Sequence, residues 1–179
     1  MTVLPRFLVT GGAGYIGGHM VRLLVERGAE VVVFDDLSTG HRDLVDPRAE
    51  LVVGSLLDPA ARARAFAAGP YDAVIHFAAR SLVGESVAQP LAYWRNNVEG
   101  TRLLAEAMLA HGVNRLVFSS TAAVYGVPAR VPIPEDAPAR PDQPLWRDEA
   151  RDRGDAGRAA PCPWAALGVA ALLQRRRRP

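Results

Sequence analysis

The segment Thr10-Gly11-Gly12-Ala13-Gly14-Tyr15-Ile16-Gly17 follows the apolar run Phe7-Leu8-Val9 and carries the clearest chemical signal in the chain. Glycines at this spacing suit a strand that turns tightly into a helix and receives a diphosphate. Gly11 permits the turn, Gly14 lets a pyrophosphate approach the backbone, and Gly17 lets the helix lie close against the sheet. The helix N-terminus adds free N–H groups and the positive end of its dipole. Such spacing on its own is more often only a turn, but here both flanks agree. Ile16, Met20, Leu23 and Leu24 recur at helical spacing, Gly28 suits the helix stop, and Val31-Val32-Val33-Phe34 reads as a second strand ending at Asp35. A carboxylate at that place accepts the adenosine ribose hydroxyls and repels a 2′-phosphate, so Asp35 points to NAD rather than NADP. The polar loop Asp36-Leu37-Ser38-Thr39-Gly40 then covers the adenosine end.

The remaining elements are those needed to hold such a site. Glu50-Leu51-Val52-Val53 reads as a third strand, and residues 58 to 68 as a helix stopped by Gly69-Pro70. Ala73-Val74-Ile75-His76-Phe77 is continuously apolar, as expected of a strand covered by helices on both faces. Pro90 opens a long helix with Leu91, Trp94, Val98, Ala105 and Met108 on one face and Gly112 at its end. Arg115-Leu116-Val117-Phe118 forms a fifth strand running into Ser119-Ser120-Thr121. Strands alternating with helices imply an α/β, Rossmann-type, doubly wound parallel sheet, here in the order 3-2-1-4-5 and truncated after the fifth strand. Polar residues after strands one, two, four and five then converge on one crevice at the carboxyl ends. A proline-rich loop spans Val127 to Pro144. Residues 1–144 therefore form the dinucleotide-binding domain. Residues 145–179 are a tail outside that pattern, expected to be disordered or to form a short helix around Ala165–Gln174.

Composition narrows the class. The chain has 179 residues, 49% of them apolar, enough for one well-buried domain. The N-terminus enters a strand at once, without the basic segment and apolar core of a signal peptide, and no apolar run approaches the roughly 20 residues that span a bilayer. A single cysteine, Cys162, excludes an internal disulfide, which together points to the cytoplasm. His19, His41, His76 and His111 are scattered without metal-ligand spacing, so no metal is expected and each histidine is read as structural or surface. The net charge is +2 and the arginines crowd the last thirty-odd residues. Arg175 to Arg178 lack interleaved aromatics, so they read as a solvated terminus and not as a nucleic-acid or membrane patch.

The chain resembles the UDP-glucose 4-epimerases of the extended short-chain dehydrogenase/reductase group. The matching pieces are Val9 to Gly17, Val74-Ile75-His76-Phe77-Ala78-Ala79, Val83-Gly84-Glu85-Ser86-Val87, Asn96-Asn97-Val98-Glu99-Gly100-Thr101, and Phe118-Ser119-Ser120-Thr121-Ala122-Ala123-Val124-Tyr125-Gly126. The likeness covers residues 3 to 144. It implies that Tyr15, Ile16, the loop Asp35 to Gly40, Ser55, Leu56, Phe77, Ala78, Ala79, Arg80, Ser81, Asn97 and Ser119 contact NAD. Thr121 would hold the hydroxyl that hydrogen-bonds the sugar oxygen at C4. Ser55 stands where an adenine-binding Asp is usual, and Ser81 where some members have Lys. The substrate implied is a UDP-hexose, and members are commonly homodimers.

The reaction implied is a transient oxidation at C4 of the sugar, with a tyrosine phenolate as base and NAD as hydride acceptor. A free tyrosine titrates near 10, so the family places a lysine one helical turn on to lower its pKa. This Tyr-x-x-x-Lys step is missing: Leu145 and Glu149 occupy the two places, and the chain as it stands is expected to be inactive. Two other readings follow: a non-catalytic NAD-binding module, which needs no such dyad, or a fragment of a related nucleotide-sugar epimerase or dehydratase. The genetic code offers an account of the loss. Leu145-Trp146-Arg147-Asp148-Glu149-Ala150 can be encoded CTA TGG CGA GAC GAA GCT, which from the second base reads Tyr-Gly-Glu-Thr-Lys. Codons for Ala170 to Arg175, shifted alike, can spell Leu-Arg-Tyr-Phe-Asn, the family's sixth strand. Residues 145 to 179 thus read as a frameshifted rendering that begins after Pro144.

Overall fold

The computed structural model describes residues 4–121, 125–138 and 168–174. In chain order the elements are β1 (Arg6–Thr10), α1 (Tyr15–Glu26), β2 (Glu30–Asp35), β3 (Glu50–Val53), α2 (Pro59–Ala67), β4 (Ala73–His76), α3 (Val83–Ala88) and α4 (Pro90–Trp94). A π-helical turn at Arg95–Glu99 leads into α5 (Gly100–Ala110), then β5 (Arg115–Thr121) and β6 (Gly168–Gln174). The sheet order is β3-β2-β1-β4-β5-β6, and every pairing is parallel.

Parallel strands need crossovers, and α1 and α2 supply them on opposite faces. Alternation along the strands sorts the core into two layers. Leu8, Val32, Phe34, Val74 and Leu116 pack toward α2 and α5, meeting Ala61, Ala65, Leu104 and Met108. Val9, Val31, Val33 and Ile75 face the other way and pack on Val21 of α1. Asp58 caps α2 by accepting from the Ala60 N–H at 2.9 Å, and Pro59 fills the first helical position.

The structure corrects two expectations from the sequence. The sheet runs one strand beyond five: Gly168–Gln174 lies parallel to β5, from Arg115↔Gly168 to Thr121↔Gln174. Of the tail, expected to be disordered or to form a short helix around Ala165–Gln174, the described residues Gly168–Gln174 are a strand, because β5 offers an open row of backbone donors and acceptors that the run Val169–Leu173 can satisfy. The long helix from Pro90 is also interrupted. Leu91 and Trp94 are exposed while Tyr93 and Asn97 are buried, and only the Ala105–Met108 end keeps the expected inward face. A π turn holds one residue more than an α turn, so the helical phase read backward from Met108 is out of step before Arg95.

Candidate functional site

A crevice of about 620 Å³ opens at the carboxyl ends of the strands. Gly11, Gly14, Tyr15, Ile16 and Gly17 form its floor, and Asp35, Asp36, Ser38, Thr39 and Gly40 form one wall. Ser55 and Leu56 follow β3, Phe77, Ala78, Ala79, Arg80 and Ser81 follow β4, and Ser119 comes from β5. The topology thus brings together residues as far apart in the chain as Gly11 and Ser119, at the point where strand order reverses between β1 and β4.

The glycine turn is built for a close guest. Gly11 has φ +73°, and a Cβ there would sit 2.6 Å from the backbone of Phe77 and Ala78. At Gly17 a Cβ would lie 2.1 Å from the Gly11 carbonyl oxygen, which fixes how closely α1 crosses the turn. At Gly14 a Cβ would meet only the Gly11 carbonyl oxygen, at 3.4 Å, so the side toward the crevice is clear. Gly14 is also the N-cap of α1 and brings no side-chain acceptor, and no acid lies in the first turn. The first N–H groups of α1 are left for a ligand, at the positive end of the helix dipole. These residues fit a dinucleotide diphosphate.

Asp35 is buried, and both its oxygens are held: Oδ2 accepts from the Ala13 N–H and Oδ1 from the Leu37 N–H, each at 2.9 Å. The carboxylate is thereby aimed before any ligand arrives. Leu37 reaches this position with φ 58°, and it makes that bond without lining the crevice. The loop then folds back, with the His41 N–H donating to the Ala13 carbonyl at 2.9 Å.

Asn97, expected among the cofactor contacts, is not among the residues lining the crevice. It is 4% exposed, and its amide is spent on the loop after β4: Oδ1 accepts from the Arg80 N–H at 2.8 Å and Nδ2 donates to the Arg80 carbonyl at 3.0 Å. Its neighbour Asn96 lines the crevice instead. Phe34, Gly54 and Ser120 line it as well, and the sequence reading did not include them. The adjacent Asn96-Asn97 pair was the available signal, and the π turn that contains both decides which of them lines the crevice. Thr121 closes β5, and its side chain lies outside the described residues, as do Leu145 and Glu149.

Behind the crevice runs a buried polar chain. Thr10 Oγ1 lies 2.6 Å from His76 Nδ1, and His76 Nε2 lies 2.9 Å from Thr101 Oγ1. The Thr101 hydroxyl donates to the Asn97 carbonyl at 2.5 Å. Its one proton is so committed, hence it accepts from His76 Nε2–H, and Thr10 donates to Nδ1. This network assigns a neutral imidazole. Burial alone pushes the His76 pKa down to about 4, which agrees. The chain ties the end of β1 to the end of β4 and, through Asn97, to the loop carrying Arg80.

Among the described residues no cluster of three or more His, Cys, Asp or Glu could hold a metal ion, and no helix is long and apolar enough to cross a membrane.

A doubly wound parallel sheet, a glycine turn open at Gly14 and a fixed acid at the end of β2 define the Rossmann-type dinucleotide-binding class. The family described as "NAD dependent epimerase/dehydratase family" matches residues 7–147, and the chain belongs to it. A UDP-glucose 4-epimerase of Corynebacterium glutamicum is 50% identical over 136 residues, covering 76% of this chain and 41% of that protein. One from Streptomyces lividans is 53% identical over 140 residues, covering 78% and 43%. In structure, the chain is similar to UDP-glucose 4-epimerase from Brucella ovis in complex with NAD, with a TM-score of 0.86 at 39% identity over 94% of this chain and 51% of that one. The UDP-glucose 4-epimerase complex with NAD from Thermus thermophilus gives 0.84 at 36% identity, over 94% and 53%. The chain spans only about half the length of these proteins, or less.

Proposed function

We propose that residues 1–144 are the NAD-binding part of a UDP-glucose 4-epimerase. The observation that carries this is the crevice itself: it is clear of side chains over Gly14, and both oxygens of Asp35 in its wall are held by backbone N–H groups. In this reading the first turn of α1 binds the diphosphate, and Asp35 takes the ribose hydroxyls. Ser38, Thr39 and Gly40 cover the adenosine, with Ser55 and Leu56 beside the base. Phe77 to Ser81, Asn96 and Ser119 border the nicotinamide half, and Thr121 serves the sugar C4 oxygen. When bound, NAD supplies the hydride acceptor for C4 of a UDP-hexose. The general base belongs to the Tyr-x-x-x-Lys step that Leu145 and Glu149 replace. We propose further that residues 145–179 arise from one extra base near the codon of Pro144, so that the functional protein is longer than this chain. The shifted codons of residues 145–150 and 170–175 support this from two separate places.

Calorimetry with both cofactors tests the binding role. Two unit charges about 4 Å apart near a protein surface interact by about 4 kcal/mol. A 2′-phosphate facing Asp35 should therefore cost the chain at least about a hundredfold in affinity, making NAD strongly preferred over NADP. Asp35→Asn should cut that preference to about tenfold or less while the melting temperature reports that the loop still folds. Equal affinity of the unaltered chain for both cofactors would remove the role given to Asp35.

A further inference from the structure

The π turn presents to the crevice an amide whose direction is fixed by bonds to groups that have no choice of role. The Arg80 backbone N–H can only donate and its carbonyl can only accept. The Asn97 amide therefore turns Oδ1 to the N–H, at 2.8 Å, and Nδ2 to the carbonyl, at 3.0 Å. The Asn96 amide meets that same Asn97 Oδ1 at 3.0 Å, and an acceptor oxygen bonds only a donor. Nδ2 of Asn96 is thus the end turned inward, and its Oδ1 is the end left over. Asn96 is half-buried and lines the crevice, and its Oδ1 has no hydrogen-bond partner among the described residues.

We propose that Asn96 Oδ1 accepts an N–H of the nicotinamide carboxamide, and that Thr101 is the positioning residue that aims it. The proposal rests on the NAD reading above and deepens it, since that reading puts the nicotinamide half on the β4 and β5 side of the crevice. A carboxamide carries its N–H donors on one side of the ring. An acceptor at one fixed place therefore selects one rotation of the ring about its glycosidic bond. The aim depends on the π turn. Within it the Gly100 N–H reaches the Arg95 carbonyl, five residues back, as well as the Asn97 carbonyl. The Asn97 carbonyl also receives the Thr101 hydroxyl at 2.5 Å, and Thr101 Oγ1 is pinned 2.9 Å from His76 Nε2. Asn97 and Thr101 are each 4% exposed, so no water competes for these bonds. The hydroxyl thus ties the wide turn to the buried histidine. Without that tie the turn is free to take the α phase, and the change of phase moves Asn96 off the crevice.

Calorimetry on the full chain tests this with three probes: NAD, nicotinic acid adenine dinucleotide, and ADP-ribose, which lacks the ring. Nicotinic acid adenine dinucleotide has a carboxylate in place of the carboxamide and so sets an acceptor against an acceptor. The unaltered chain should bind NAD about tenfold more tightly than this analogue. Asn96→Ala should bring the ratio down to about twofold or less, with ADP-ribose affinity and melting temperature unchanged. Thr101→Val deletes the hydroxyl at nearly constant volume and should lower the ratio as well, whereas Thr101→Ser should restore it. A ratio near one in the unaltered chain, or an unchanged ratio in Asn96→Ala, overturns the contact while the NAD reading stands. A full ratio in Thr101→Val removes the positioning role. Equal losses of NAD and ADP-ribose in these variants mark a merely structural effect and overturn the proposal too. If the unaltered chain binds neither NAD nor ADP-ribose, the NAD reading itself fails and takes the proposal with it.

Discussion

Assayed with UDP-galactose, the chain as it stands should show no turnover, and a gene with one base removed near the codon of Pro144 should yield a longer, active enzyme. The expected difference is large because two things return together. A positioned general base contributes roughly 10²–10⁴-fold on its own. The restored frame also brings back the part of the family's length that this chain does not span, and enzymes of ordinary competence turn over at about 1–10³ per second. Leu145 has no proton acceptor and Glu149 has the wrong charge to depress a tyrosine pKa, so no residue at those places can substitute. The strand β6 fits the same account. Its residues Gly168–Gln174 occupy the edge beside β5, and the shifted codons of Ala170–Gln174 also spell a strand-forming run, so either frame can fill that slot. The gene decides the outcome. A shifted frame that meets a stop codon, or that cannot encode Tyr-x-x-x-Lys, sinks the proposal.

Acid should destabilise the fold by about 3 kcal/mol through His76 alone. In the folded chain its pKa is lowered from 6.5 to about 4. The imidazole is 2% exposed and is enclosed by Thr10, Thr101 and the Phe118 ring, whose centroid lies 5.6 Å away, with no acid among these neighbours to welcome a proton. Between the two pKa values the unfolded chain binds a proton that the folded chain refuses, so stability rises with pH across that window. The contribution is fully present above pH 6.5, is lost as pH falls toward about 4, and changes little below that. A gap of about 2.5 units at 1.36 kcal/mol each gives the figure of about 3 kcal/mol. His76→Gln keeps one donor and one acceptor for the two threonines and does not titrate. Urea unfolding at pH 7 and pH 4.5 should show the unaltered chain losing clearly more stability than this variant. Parallel losses in both would place the acid sensitivity elsewhere. Because the chain reaches Asn97 and Arg80, the variant's NAD affinity also reports whether the loop after β4 stays in register.

Several features were determined by the sequence without help. The order of the first five strands, the parallel sheet, the turn at Gly11–Gly17 and the acid at Asp35 all rest on local signals. A strand buried on both faces must be continuously apolar, and a turn with φ +73° under a neighbouring backbone needs glycine, so these positions announce themselves. Tertiary structure alone decided the rest. Whether Asn96 or Asn97 faces the crevice depends on a π turn that changes helical phase without changing composition. His76, read as structural or surface from its isolation in the chain, links Thr10 and Thr101, respectively 66 and 25 residues away, and no periodicity reports a hydrogen bond between them. The pairing of Gly168–Gln174 with β5 likewise comes from an edge that only the folded sheet presents, because an apolar run takes its conformation from what lies beside it.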